Sequence, residues 1–255
     1  MKLKNVRALM IDLDGVVYLG DKPIEGAAET INFLIKKYKC IFVTNTTRVG
    51  KRQIAKKLRK FGIKVKEENI VTALSATIDY IKSKKKNSKC YLIGSKESRK
   101  EFIHNGLKIS DENPDYVVIG WDKNLNFKAL NTAFRLIFEG ADFITMHEDK
   151  FAPMEDGLYL SVGPFSKALE YATGRNAISI GKPNSNFFKI ALSKLKVKPK
   201  EAVMIGDSID SDIVGAKKVG MTGILIRNGY NENRNKGEVK PDLILSSLSE
   251  IKKVL

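Results

Sequence analysis

Two carboxylates with one residue between them, Asp12 and Asp14, stand at the end of the apolar run from Val6 to Ile11 and lead straight into Gly15. A short apolar run closed by a glycine reads as a buried strand. In an open parallel sheet the ligand crevice lies beyond the carboxyl ends of the strands, so both acids would emerge at the edge where chemistry is done. Neighbouring carboxylates repel one another unless a cation or a shared proton separates them. A hard divalent ion such as Mg²⁺ suits such an all-oxygen pair. Taken alone, the same Asp-Leu-Asp-Gly segment also fits an ordinary turn with its Asp side chains capping backbone amides.

Three further strand ends carry polar groups. Thr44 and Asn45 follow Cys40 to Val43, Gly181-Lys182-Pro183 follows Ala177 to Ile180, and Gly206-Asp207 with Asp212 follows Ala202 to Ile205. Each has a local explanation as a helix cap or a turn. As a set they supply a metal held by carboxylates, a hydroxyl and an amide donor, and one ammonium group. These are the parts that neutralise and orient a transferring phosphoryl group.

The elements that must position these groups alternate strand and helix nearly throughout. Ile31, Leu34 and Ile35 mark one apolar helix face, Ile54, Leu58 and Phe61 a second, and Phe187, Ile190, Ala191 and Leu195 a third. Alternation of this kind predicts an α/β fold with right-handed crossovers and a central parallel sheet covered on both faces. The lysine-rich stretch from Lys82 to Lys89 reads as a hinge or linker, and residues 143 to 164 as a structured loop presented to a partner or substrate. The length of 255 residues and an apolar content of 43% support one large or two ordinary domains with a real core. No apolar run approaches the roughly 20 residues of a membrane span, and no signal-peptide pattern opens the chain, so a cytoplasmic location is expected. Cys40 and Cys90 each open an apolar run and read as buried small hydrophobes. The formal net charge of +16 suits nucleic acid, an anionic small substrate or only a lysine-rich surface. No interleaving of aromatic and basic residues forms a stacking platform, which argues against nucleic acid.

The motifs Asp12-Leu-Asp-Gly-Val, Thr44-Asn45, Gly181-Lys182-Pro183 and Gly206-Asp207 followed by Asp212, in that order, resemble the haloacid dehalogenase superfamily of phosphotransferases. The insertion of roughly a hundred residues between the second and third motifs is similar to the large-cap subgroup of NagD-type and nitrophenylphosphatase-like enzymes. The tract from Gly157 to Gly174 resembles the branch that contains phospholysine phosphohistidine inorganic pyrophosphate phosphatase and its uncharacterised domain-containing relatives. The resemblance implies a Rossmann-like core from residues 1–82 and 177–255, with an α/β cap inserted at 83–176.

It further implies a Mg²⁺-dependent phosphatase acting on a small phosphate monoester, a phosphoramidate or pyrophosphate through an aspartyl-phosphate. Asp12 would be the nucleophile and Asp14 the general acid and base, with Lys182 holding substrate charge. Thr44 and the Asn45 amide would receive phosphoryl oxygens. Asp12, the Asp14 backbone carbonyl and Asp207 would hold the metal, with Asp212 ligating it or steering a bound water. Thr44-Asn45-Thr46-Thr47 departs from the Thr-Asn-Asn-Ser of many relatives, so substrate contacts nearby are expected to differ. Specificity is expected in the loop His147 to Gly157, where His147 and Asp156 are candidate contacts and an exposed histidine is the ordinary alternative. Relatives with such caps often pair, so a homodimer through the cap is expected from resemblance. A phosphotransferase or phosphomutase of the same fold, and a basic nucleic-acid-associated binding protein, are the alternatives.

Overall fold

In the computed structural model, the residues described are 3–154, 157–227 and 239–255. The first strand, Ala8–Asp12, is buried along its whole length, as an uninterrupted apolar run must be when both faces of its sheet are covered. It pairs in parallel with Lys39–Thr44 on one side and Ala202–Gly206 on the other. The full order of this six-stranded sheet is Leu243–Leu245, Thr222–Ile226, Ala202–Gly206, Ala8–Asp12, Lys39–Thr44 and Ile70–Thr72. The register sets Asp12 beside Val43 and Ile11 beside Ile205. Three strands therefore finish together, at Asp12, Thr44 and Gly206.

Helices Ala27–Leu34, Lys51–Lys60 and Ser185–Leu195 turn apolar stripes inward, with Ile31 and Leu34, Ile54 and Leu58, and Phe187, Phe188, Ala191 and Leu195 buried. Their three- and four-residue spacing is that of an amphipathic helix. Gly215, in helix Val214–Lys218, lies so close to Phe188 that a Cβ there would sit 2.1 Å from its ring.

The chain divides into two compact units. The first takes in the described residues of 1–44, 51–71 and 182–255, the second those of 45–50 and 72–181. The second unit is thus wider than the expected insertion at 83–176. Helix Ala73–Lys84 belongs to it, and so does strand Ile178–Ser179, which pairs in parallel with Ile144 and Thr145. The apolar run from Ala177 to Ile180 therefore completes the second sheet and does not join the first.

That second sheet is also parallel, in the order Ile178–Ser179, Asp142–Thr145, Tyr116–Ile119, Lys89–Ile93 and Lys108–Ile109. Its core gathers Ile93, Val117, Ile119, Phe143 and, from helices Phe127–Phe138 and Val162–Thr173, Ala133, Ile137, Val162 and Leu169. The lysine-rich stretch is no linker. Lys85 pairs with Asp115 at 2.6 Å, the other Asp115 oxygen accepts from the Lys89 backbone N–H at 2.8 Å, and the Ser88 hydroxyl donates to the Lys85 carbonyl. Residues 143–164 also hold more regular structure than a loop, because Phe151–Met154 and Gly157–Leu160 form an antiparallel hairpin. Both cysteines are buried and free, as expected. Among the described residues no helix is long and apolar enough to cross a membrane.

Candidate active site

Asp12 ends the first strand and Thr44 the next one along, so backbone pairing alone brings their side chains to one edge of the first unit. Beyond Asp12 the chain turns tightly. Val17 and Tyr18 donate their backbone N–H groups to the Leu13 carbonyl at 2.8 and 3.2 Å, and Gly15 adopts φ +78°, a left-handed conformation that a side chain would strain. This turn leaves Asp14 exposed, with the Thr44 hydroxyl 3.4 Å from its Oδ2.

Asp207 follows strand Ala202–Gly206 directly, and Asp212 lies in the π-helical turn Ile209–Ile213. Wide turns of this kind often mark functional sites. Here the turn directs the fully buried Asp212 carboxylate back towards Gly206, and its Oδ2 accepts from the Ser208 backbone N–H at 3.1 Å. Lys182 comes from the segment ahead of helix Ser185–Leu195. Its side chain is only 3% exposed, and Nζ donates to Asp12 Oδ1 at 2.8 Å and to Asp212 Oδ1 at 2.7 Å.

Among the described residues, carboxylates outnumber the ammonium of Lys182 in this pocket. Burial, then the Asp212 carboxylate, hold the Asp12 carboxyl well above its ordinary range; Lys182 pulls it down, and Asp207 adds to the rise. Burial alone would depress the Lys182 ammonium, but the facing Asp12 and Asp212 charges more than offset this and raise it. A cation relieves such a surplus of negative charge. The donor set also fits a hard divalent ion, since Asp12, Asp207 and Asp212 each offer a carboxylate oxygen and these atoms all lie within 4.8 Å of one another.

The structure therefore gathers Asp12, Lys182, Asp207 and Asp212 in one cluster, with Asp14 and Thr44 beside it. Asn45 has a side-chain partner of its own. It opens the second unit, and its side-chain Nδ2 donates to both Asp149 oxygens, at 3.2 and 3.0 Å. His147 is buried, not an exposed loop residue, and its Nδ1 lies 3.2 Å from Asp149 Oδ2 and accepts from the Asp149 backbone N–H. Asp156 lies outside the described residues. Asp149 was not singled out by sequence reasoning. It sits 104 residues from Asn45 in a segment with no periodic pattern, and its only signal was an acid next to a turn-rich stretch.

Known proteins are similar to this chain in sequence and in fold. A model of the haloacid dehalogenase-like hydrolase family matches residues 9–108, and a second, HAD-hydrolase-like, matches residues 179–251. The haloacid dehalogenase-like hydrolase domain-containing protein 2 of Rattus norvegicus is 36% identical over 238 residues, covering 92% of this chain and 90% of that protein. An acid sugar phosphatase of Staphylococcus haemolyticus is 34% identical over 241 residues, covering 92% of each. The solved structure of the p-nitrophenyl phosphatase from Archaeoglobus fulgidus superposes with a TM-score of 0.92 at 30% identity, over 98% of this chain and 99% of that one. The chain belongs to the haloacid dehalogenase-like hydrolase family. Within that family it is a phosphatase of the nitrophenylphosphatase-like type.

Proposed function

We propose that the protein hydrolyses small phosphate monoesters in two steps through a phosphorylated Asp12, with Mg²⁺ as cofactor. The observation that carries this reading is the buried Lys182 ammonium held between Asp12 and Asp212, beside Asp207. In the first step an Asp12 carboxylate oxygen bonds to phosphorus as the ester P–O bond breaks, and the departing oxygen takes a proton from Asp14. In the second, Asp14 removes a proton from water, the water oxygen bonds to phosphorus, and the bond to Asp12 breaks to restore the carboxylate. Asp14 suits both proton transfers because it is exposed while Asp12 is buried. Lys182 and the Thr44 hydroxyl hold phosphoryl oxygens. With the Asn45 side chain committed to Asp149, the contact expected of Asn45 is assigned to its main-chain N–H. Asp12, the Asp14 carbonyl, Asp207 and Asp212 would hold Mg²⁺, which when bound supplies neutralising charge to the phosphoryl group. The inserted unit is assigned the choice of leaving group. Sugar phosphates, suggested by the name of the staphylococcal acid sugar phosphatase, are one candidate class, and pyrophosphate and phosphoramidates are others.

The test is hydrolysis of p-nitrophenyl phosphate with and without Mg²⁺. Turnover should require the metal and fall at least about a thousandfold in Asp12→Asn. Metal-independent turnover, or an Asp12→Asn variant as active as the wild type, would reject the mechanism.

A further inference from the structure

Two connections between the compact units fall at chemically important places. The chain first leaves the first unit between Thr44 and Asn45 and makes its final return to it between Gly181 and Lys182. Thr44 and Lys182, the two donors assigned to the phosphoryl group, are thus each one peptide bond from a residue of the second unit. Those two residues, Asn45 and Gly181, meet. The Asn45 amide presents nitrogen to the Asp149 carboxylate and oxygen to Gly181, where an added Cβ would lie only 2.7 Å from Oδ1. The same Cβ would sit 2.7 Å from the Met146 carbonyl and 3.0 Å from the His147 Cβ, and the Gly181 N–H donates to that carbonyl at 2.8 Å. Gly181 is therefore required by close packing and not by a left-handed backbone.

Asp149 is itself anchored at several points. Its N–H donates to His147 Nδ1, and its carbonyl accepts from the Gly163 N–H at 3.1 Å, at the start of helix Val162–Thr173. Gly163 permits this approach, because a Cβ there would fall 2.5 Å from the Glu148 carbonyl. The His147 carbonyl accepts from the Thr145 hydroxyl at 2.9 Å, which in turn accepts from Ser166 at 2.7 Å. The carboxylate that holds Asn45 is thus tied to a strand and a helix of the second sheet. A charged acceptor on a neutral amide also makes this hydrogen bond stronger than an ordinary one.

We propose that Asp149 is a positioning residue for phosphoryl transfer. It clasps Asn45 against Gly181 and thereby fixes the two chain segments that deliver Thr44 and Lys182 to the phosphoryl group. The proposal rests on the mechanism above. Displacing a reacting group by about 1 Å costs on the order of a hundredfold in rate, so a device that fixes two donors at once has a measurable effect without touching substrate.

The experiment is a double-mutant cycle on the full chain with Mg²⁺, comparing Asp149→Ala, Asn45→Ala and the double variant in p-nitrophenyl phosphate turnover. Inorganic phosphate binding by calorimetry and melting temperature are recorded for each. Asp149→Ala and Asn45→Ala should each lower kcat about ten- to hundredfold while KM moves less than about threefold. The double variant should be no slower than the slower single one, and phosphate affinity should weaken by the same factor in all three. Asp149→Asn keeps an acceptor oxygen for Asn45 and should recover part of the loss. Unchanged kcat in Asp149→Ala, multiplicative losses in the double variant, or losses that only follow a lower melting temperature would each overturn the proposal. If the wild type does not turn over, or Asp12→Asn has no effect, the two-step mechanism fails. The phosphate cycle then still decides whether Asp149 acts through Asn45.

Discussion

Gly206 has no side chain, and the cluster depends on that. A Cβ there would lie 2.3 Å from Asp212 Cγ and Oδ2, and Asp212 is fully buried with no room to retreat. Gly206→Ala should push this carboxylate off Lys182 and the Ser208 N–H, lowering kcat by about a hundredfold and stability by about 1–3 kcal/mol; steady-state kinetics and urea unfolding read the two effects. The cysteines give a second expectation at this scale. Burial pushes the Cys40 and Cys90 thiols from 9.0 to about 12, with Asp115 adding to the rise at Cys90. Between those values the unfolded chain loses the thiol protons while the folded chain keeps them, so stability falls as pH rises from about 9 to about 12. The slope approaches about 1.4 kcal/mol per pH unit for each cysteine. Unfolding midpoints across that range should drop steeply in the wild type and less in Cys40→Ala/Cys90→Ala.

Helix Ala73–Lys84 is started by a reciprocal cap, with the Ser75 N–H donating to the Thr72 hydroxyl at 2.9 Å and the Thr72 N–H donating to the Ser75 hydroxyl at 3.1 Å. Thr72→Ala should cost about 1 kcal/mol, seen as an earlier denaturant midpoint at unchanged slope. How much of such structure can be read in advance depends on whether the signal is local. The run from Val6 to Ile11, cut off at Asp12, could be read as a strand because period and punctuation are written in adjacent residues. The run from Ala177 to Ile180 could be read as a strand too, but its residues do not say which sheet it joins. Its pairing with Ile144 and Thr145 depends on partners more than thirty positions away. The Lys82 to Lys89 stretch resembled a linker because its charges were visible and its ties to Asp115 were not. His147 was legible as a titratable residue in a turn-rich segment. Its burial and its contact with Asp149 were hidden, because they depend on how helix Val162–Thr173 seats against residues 148–149.

Charge works at the scale of the whole chain. The chain carries a formal net charge of +16, while in the pocket Asp12, Asp207 and Asp212 outnumber Lys182. The molecular field should therefore favour the encounter with a phosphate anion while the pocket itself retains the need for a cation. Long-range attraction of this sort is screened over about 10 Å at 0.1 M salt. The value of kcat/KM for an anionic ester should thus fall as NaCl rises, with kcat nearly constant. Equal kcat/KM at low and high salt would mean that the lysines serve only the surface. The nucleic-acid alternative predicts instead tight binding to DNA or RNA that weakens steeply over the same salt range.

The central strand Ala8–Asp12 has one neighbour close by in the chain and another, Ala202–Gly206, almost at the far end. During synthesis at about 5–20 residues per second, the first strand leaves the ribosome roughly 10–40 s before that second partner exists. Most of the second unit, by contrast, comes from the single stretch 72–181, so it can fold while the first sheet is still half made. Asp12 and Asp207, the carboxylates proposed to share the metal, therefore meet only after the inserted stretch between them has been synthesised. A protein of this layout becomes an enzyme last, and chaperones would find its hydrophobic first strand exposed for most of its birth.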